Sequence, residues 1–285
     1  MIVLFFLANA VIVTANAGIP ANSNLKIEVQ IITDEADAVL SILAKLKSQQ
    51  TVSDSDWQRL FSSEGYVRLK KREAAMQRAF EDSDFKTFVL SGGLRERHQA
   101  LSDTLAKWKT VDVKRIAQRV LTYLPKNAHI QAKIYPEIKP RENSFVFDVE
   151  TDPAIFLYLD PKVGKEKFEN TLAHELHHIG FGTACPSQQT KVAIAKLPQN
   201  QQNLLVWLGA FGEGFAMLAA AGGPNIHPHA VSLADERNRW DKDVAKFDSD
   251  LKLVEKFFLD ILGDKLTDEE RTRTCLLYTS DAADE

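Results

Sequence analysis

The chain has 285 residues, of which 45% are hydrophobic, and a formal net charge of −4 at pH 7. This length and apolar content suffice for one substantial buried core, with room for two lobes. The near-neutral charge excludes the strongly basic surface that nucleic-acid binding requires, so we expect no nucleic-acid partner.

The N-terminus carries an apolar run over residues 2–13. This run is too short to cross a bilayer, because a spanning helix needs about twenty residues. Residues 15–17, Ala-Asn-Ala, then form the small-x-small pattern that precedes a signal-peptide cleavage site. We therefore predict a signal peptide over residues 1–17, a mature chain that begins at Gly18, and export to the periplasm or the extracellular medium. No stable membrane span is expected in the mature chain.

Residues 18–128 are predicted to form a helical N-terminal region. From Thr33 to about Leu124, apolar residues recur at helical spacing, with breaks at residues 49–56 and 92–93. The charged residues of this region fall on solvated faces. No set of polar residues here indicates a reactive site.

From residue 130 onwards the apolar period changes to two. Residues 130–134 alternate between apolar and polar side chains, and residues 144–149 and 154–159 form two further runs typical of strands. A turn at residues 151–153 joins these two runs. The fold class predicted from this pattern is α+β, mostly helical, with a small antiparallel sheet.

Residues 174–178 read His-Glu-Leu-His-His, a HExxH motif in a stretch of helical pattern. On a helix, His174 and His178 lie one turn apart on one face, so both imidazoles can bind a single metal ion. Glu175 projects beside that ion, where it can accept a proton from water. His177 points off the metal face and is expected to support the site from behind or to face solvent. The alternative is a buried helix whose histidines bond to neighbouring groups.

The motif helix is expected to end at Gly180 or Gly182, and hydrolytic zinc sites need a third protein ligand. Residues 204–221 form an apolar run long enough for one core helix, and Glu213 is its only ionisable residue. A buried unpaired carboxylate is unfavourable, and zinc coordination removes that penalty. Glu213 is therefore the predicted third ligand. The alternative is a buried glutamate that pairs with an arginine or a helix end.

These residues make the chain resemble the gluzincin zinc peptidases. His174, Glu175 and His178 match the motif helix of that group, and Glu213 matches the ligand glutamate of a following helix. One position departs from the pattern: thermolysin-like members have an acidic residue four positions after the ligand glutamate, where this chain has Met217.

The chain is more closely similar to a bacterial secreted family of predicted zinc-dependent peptidases of unknown function. Sequence segments similar to residues 170–178 and 212–216 occur in that family in the same order, and the resemblance extends over residues 57–262. It implies a zincin-like catalytic core over residues 129–274, with a small antiparallel sheet before the motif helix. In such a core the edge strand holds extended substrate by backbone hydrogen bonds.

The predicted function is zinc-dependent hydrolysis of peptide bonds, with one Zn²⁺ per chain and a peptide or protein as substrate. Glu175 is the predicted general base for zinc-activated water, and it would pass the proton to the leaving amine. His227 or His229 could donate a hydrogen bond to the oxyanion. Two alternatives stay open: a zinc hydrolase of non-peptide substrates, and a catalytically silent zinc-binding protein. The sequence indicates nothing about the oligomeric state.

The last residues of the chain, 275–285, can be encoded in one frame by DNA that resembles a transposase-based sequencing adapter. We therefore predict that they do not belong to the gene. The natural chain would then continue past Thr274, and the metallopeptidase region would be truncated at its C-terminus. Without Cys275, Cys185 stands alone and indicates no intramolecular disulfide.

Overall fold

The computed structural model of the protein describes residues 26–185, 192–205, 207, 209–267 and 269–271, and for residues 209–211 it describes the backbone alone. The predicted signal peptide at residues 1–17 and the predicted adapter segment at residues 275–285 lie outside these ranges. None of the described helices is long and apolar enough to cross a membrane.

The N-terminal half consists of one strand followed by short helices, which confirms the helical pattern predicted from Thr33 to Leu124. Several of these helices begin at a polar side chain: the Ser63 hydroxyl accepts the Tyr66 N–H, for example, and so satisfies a donor that lacks a helical partner. The elements are β1 (Ile27–Ile31), α1 (Asp34–Lys47), α2 (Asp54–Phe61), α3 (Glu64–Ala75), α4 (Asp82–Val89), α5 (Gly92–Glu96), α6 (His98–Trp108) and α7 (Val113–Leu121).

In the described part of the chain, β1 joins β2 (Ile130–Glu137), β3 (Phe145–Phe147) and β4 (Ala154–Tyr158) in one four-stranded sheet. The strand order is β1-β2-β4-β3. Strands β1 and β2 pair in parallel, as do β2 and β4, whereas β3 and β4 pair antiparallel. The prediction of an antiparallel sheet is therefore wrong: the sheet is mixed, and only the β3–β4 hairpin has that pairing.

The error has a physical reason, since alternating side chains identify a strand but do not choose its neighbour. In a meander, each strand pairs with the strand that precedes it in the chain. Here β4 pairs with the end of β2, and β3 lies beyond β4 at the edge of the sheet. Strand β1 was not predicted from the sequence, although Ile27, Val29 and Ile31 alternate with polar residues as in a strand. It pairs with the whole first half of β2.

The C-terminal half contains the motif helix, α8 (Lys165–Ala184), followed by α9 (Gln199–Leu205), α10 (Gly209–Ala221), α11 (Ala234–Ala245) and α12 (Phe247–Leu262). The apolar run at residues 204–221, predicted as one helix, is divided between α9 and α10. The mostly helical α+β class is confirmed.

α8 packs against β2, α6, α7 and α10, and it continues through both glycines that were expected to end it. Gly180 has a packing role instead. A Cβ at this position would overlap the Leu124 side chain and lie 3.1 Å from Ile130 Cγ1, so the small residue lets the helix approach the start of β2. One continuous set of buried apolar side chains extends from Val29 to Ala220 and joins both halves of the described chain.

Candidate metal centre

The first two predicted ligands lie on one edge of α8. The opposite side of the helix buries Leu172, Ala173 and Leu176 in the core, which fixes the rotation of the helix. His174 and His178 are left half-buried at the margin, one turn apart. Core packing therefore directs both imidazoles towards the neighbouring helix α10.

α10 supplies Glu213, although not from the buried environment that was predicted. The small residues Ala216, Ala219 and Ala220 are buried, and they let α10 lie close to α8. Glu213 stands at the rim of this interface, with 55% of its side chain exposed. The prediction of a buried carboxylate is wrong, because the apolar neighbours of Glu213 in the sequence point to other faces of the helix.

The three predicted ligand atoms form a nearly equilateral triangle. Nε2 of His178 lies 3.1 Å from Nε2 of His174 and 3.2 Å from Oε2 of Glu213, and Nε2 of His174 lies 3.1 Å from the same oxygen. Ligand atoms at ~2.0–2.1 Å from a tetrahedral zinc ion are roughly 3.3–3.4 Å apart. Two imidazoles and one carboxylate at this spacing fit a zinc ion that retains a free fourth position.

The metal-ligand geometry recurs nowhere else in the described ranges: His174, His178 and Glu213 are the one group of three such side chains close enough to share an ion. The two histidines hold the pKa of Glu213 well below its usual range by hydrogen bonding to its carboxylate, so that Glu213 is an anion. An anionic oxygen next to two imidazole nitrogens is the ligand set that zinc accepts in catalytic sites.

Comparison with known families agrees with this geometry. The family described as "Putative zinc dependent peptidase (DUF5700)" matches residues 57–276. The chain belongs to this family. No curated protein and no solved structure matches the chain. The matched residues include α8 and α10, so His174, His178 and Glu213 all lie within the part of the chain that the family covers.

Glu175 and His177 lie between the two histidines of the triangle along α8. Glu175 follows His174 directly and its side chain is half-buried. His177 is outside the triangle, as predicted, and it is 3% exposed, so the solvent-facing alternative is wrong. Burial, reinforced by the charges of His178 and His174, lowers its pKa to about 4. His177 is therefore a neutral ring packed behind the site.

The two loop histidines predicted as oxyanion donors are not among the three residues of the triangle. His227 uses both ring nitrogens: Nδ1 accepts the backbone N–H of His229, and Nε2 lies 3.1 Å from Oδ1 of Asp241. Nδ1 of His229 lies 3.1 Å from the hydroxyl of Ser232. Neither histidine belongs to the ligand group, and their role as donors stays a prediction.

The contacts that hold this loop against α8 were not predicted from the sequence. Lys167 lies seven residues before His174, and therefore on the same face of α8. Its ammonium group donates to Ser232 Oγ at 2.9 Å and to Glu236 Oε2 at 3.3 Å. The helical spacing of Lys167 from the ligands was a usable signal for its face, but its partners are distant in sequence.

Proposed function

We propose that this protein is a zinc-dependent peptidase of gluzincin type, which binds one zinc ion per chain and hydrolyses peptide bonds. The observation that carries the proposal is the triangle of donor atoms on His174, His178 and Glu213. Its edges of 3.1 to 3.2 Å match a catalytic zinc site, and its ligands come from two helices, as in gluzincins.

The openness of the site supports catalysis over a purely structural role. Structural zinc sites are closed by four protein ligands, often thiolates, whereas catalytic sites keep one position for water or substrate. Glu213 is half-exposed, and Cys185, the one cysteine in the described ranges, is exposed and outside the ligand group. A fourth protein ligand is therefore lacking among the described residues.

In the proposed mechanism, zinc supplies Lewis acidity that polarises the substrate carbonyl and makes water nucleophilic at neutral pH. Glu175 accepts the proton of the attacking water and then delivers it to the nitrogen of the leaving amine. His174 and His178 must be neutral to bind through Nε2. The single negative charge of Glu213 would then leave the site with net positive charge towards the carbonyl oxygen.

We further propose that β3 is the strand along which extended substrate aligns. It is the antiparallel edge strand of the sheet, and its outer side has no strand neighbour among the described residues. The turn that follows it approaches α8: Val149 Cγ1 lies 3.6 Å from the position of a Cβ at Gly182, one turn beyond His178. The turn after the edge strand therefore reaches α8 one turn beyond His178.

The test is cleavage of a peptide library by zinc-loaded protein, with products identified by mass spectrometry. We expect cleavage that is lost on chelation and restored by zinc. Glu175→Gln should keep about one zinc per chain and lower the rate by about 10²- to 10⁴-fold, because it removes only the general base. Glu166→Gln, on the same helix but exposed, is the matched control. Full activity in Glu175→Gln would refute the mechanism, and absence of zinc would refute the site.

Export is part of the same proposal, supported by the signal-peptide pattern at residues 1–17. N-terminal sequencing of protein recovered from the periplasm or medium should begin at Gly18. Retention of the intact chain inside the cell would contradict it.

A further inference from the structure

Phe181 is the one large apolar side chain of the motif helix α8 that is exposed. The helix buries its other large apolar residues, Phe168, Leu172, Leu176 and Ile179, whereas Phe181 is 48% exposed. Single exposed apolar residues are common on protein surfaces, so the position of such a residue decides what it can do.

The position of Phe181 is on the ligand side of α8. Phe181 follows His174 by seven residues and His178 by three, and each residue of a helix turns the chain by about 100°. Its side chain therefore leaves the helix within about 20° of the direction of His174, and about 4.5 Å beyond His178 along the helix axis. Helical side chains lean towards the N-terminus, so the Phe181 ring tilts back towards the two ligands.

Ring contacts join Phe181 to the metal centre. The rings of Phe181 and His177 are stacked, with 6.3 Å between their centroids and an interplanar angle of 12°. The His177 ring in turn meets the His178 ring edge-on, with 6.2 Å between the centroids. Because His177 is buried, it supports the Phe181 ring from behind, and the exposed part of that ring is open to another molecule.

A second exposed apolar side chain reaches this turn of α8 from the sheet. Val149, in the turn after β3, is 38% exposed, and its Cγ1 lies 3.6 Å from the position of a Cβ at Gly182, the residue after Phe181. Phe181 and Val149 therefore present apolar surface where the turn after the proposed substrate strand approaches the helix of the metal ligands.

We propose that Phe181, together with Val149, binds an apolar side chain of the substrate, preferably an aromatic one, within two residues of the cleaved bond. An extended peptide advances about 3.3–3.6 Å per residue, so a side chain one or two residues from the attacked carbonyl can span the distance along α8 from His178 to Phe181. Aromatic rings pair at centroid distances of about 4.5–7 Å, which adds to the burial of apolar area.

This inference rests on the proposed peptidase function and names the class of substrate: peptides with an aromatic residue next to the cleaved bond. Two other occupants of the Phe181 surface predict different results. If another segment of this chain packs on the ring, Phe181→Ala should destabilise the protein. If a second copy of the chain packs there, the same substitution should dissociate a dimer. A substrate-binding residue instead changes the ratio between ligands that differ in one side chain.

The first experiment uses two hydroxamates that differ in the side chain next to the metal-binding group, which is benzyl in one and methyl in the other. The hydroxamate oxygens bind zinc, so the side chain is placed beside the metal centre without any reaction. Calorimetric titration of zinc-loaded protein should show that the benzyl compound binds about tenfold more tightly. Phe181→Ala should reduce this ratio to about twofold or less, through weaker binding of the benzyl compound.

Phe247→Ala is the matched control, because Phe247 is 58% exposed at the start of α12. It should keep the tenfold ratio, and so should Phe181→Tyr, which retains the ring. Thermal denaturation and sedimentation of Phe181→Ala should match those of wild type. A wild-type protein without the benzyl preference, a Phe181→Ala protein that retains it, or a Phe181→Ala protein that is unstable or changes its mass would overturn the inference.

Peptide cleavage separates this inference from the peptidase proposal. In peptides that contain the bond cleaved in the library assay, the two residues on each side are changed one at a time between phenylalanine and alanine. At one position, kcat/KM should be about tenfold higher for phenylalanine in wild type and not in Phe181→Ala. If the hydroxamates show the Phe181-dependent preference but no peptide is cleaved, the binding role of Phe181 stands and the peptidase proposal fails. Cleavage without the preference refutes the role of Phe181 alone.

Discussion

The pKa values of the acids shift in opposite directions at the metal centre and in the core that includes the N-terminal helices. Glu213 is half-exposed, and its histidine partners lower its pKa. Glu35, on α1, and Glu137, at the end of β2, are 1% and 0% exposed. Burial raises the pKa of Glu35 to about 8 and that of Glu137 well above its usual range. Three of their four carboxyl oxygens have no hydrogen-bond partner among the described residues.

The comparison indicates that hydrogen-bond partners, rather than apolar neighbours in the sequence, decide whether a carboxyl group is ionised and so available to a metal ion. Glu35 accepts one bond, from the Ile138 N–H, and lies close enough to Glu137 for each charge to oppose the other. Such a pair holds protons at neutral pH. Glu213 contacts two imidazoles and is an anion, although its neighbours in the sequence are more apolar than those of Glu35 or Glu137.

The largest expected effect is on zinc binding at the exposed acid. Glu213→Ala removes one of three ligands and should lower zinc affinity by more than about 100-fold, a larger loss than outer-shell substitutions cause. Glu236→Ala, an acid of α11 that contacts Lys167 instead, is the control and should leave affinity unchanged. Competition with a chromogenic chelator measures both. Equal affinities would assign the third position to another residue.

The second effect is on stability at the buried pair. The folded-state pKa of Glu35 is about 8, above its ordinary 4.5, so the fold holds a proton that the unfolded chain releases. This contribution is complete below pH 4.5 and is lost as pH rises through about 8. Glu35→Gln should therefore raise the free energy of unfolding relative to wild type by at least about 2 kcal/mol at pH 9, and by about 1 kcal/mol or less at pH 5.

Denaturant titrations at pH 5, 7 and 9 test this prediction. Asp54→Asn, an exposed acid at the start of α2, serves as the control and should shift all three values by similar small amounts. A pH slope that is unchanged in Glu35→Gln would mean that the buried pair is ionised in the native protein.

The smallest expected effect is on the stability of the metal-free protein when Glu213 is replaced. Glu213→Gln is the same chemical change as Glu35→Gln, but in metal-free protein it should lower the free energy of unfolding, by about 1 kcal/mol or less, because solvent screens the bonds between this exposed carboxylate and the two histidines. The same denaturant titrations at pH 7 measure it. A loss of 2 kcal/mol or more would show that Glu213 is part of the structural core.

The local parts of this structure were predictable and the long-range parts were not. The ligand spacing of His174 and His178, and the strands after residue 130, follow from periodicity along the chain. The exposure of Glu213 depends on which face of α10 meets α8, and the pairing of β1 with β2 joins segments about a hundred residues apart. Glu35 and Glu137 are separated just as widely, so their shared burial leaves no local pattern.

The division of α8 into a core face and a ligand face has a consequence for metal exchange. The three proposed ligands lie at the margin of the apolar core, because 17% of the His174 side chain, 30% of His178 and 55% of Glu213 are exposed. Removal of the ion should therefore leave the protein folded, in contrast to small zinc domains that unfold without metal. Apoprotein prepared with a chelator should accept Co²⁺ in place of zinc. The visible absorption of tetrahedral cobalt would then report directly on the coordination at His174, His178 and Glu213.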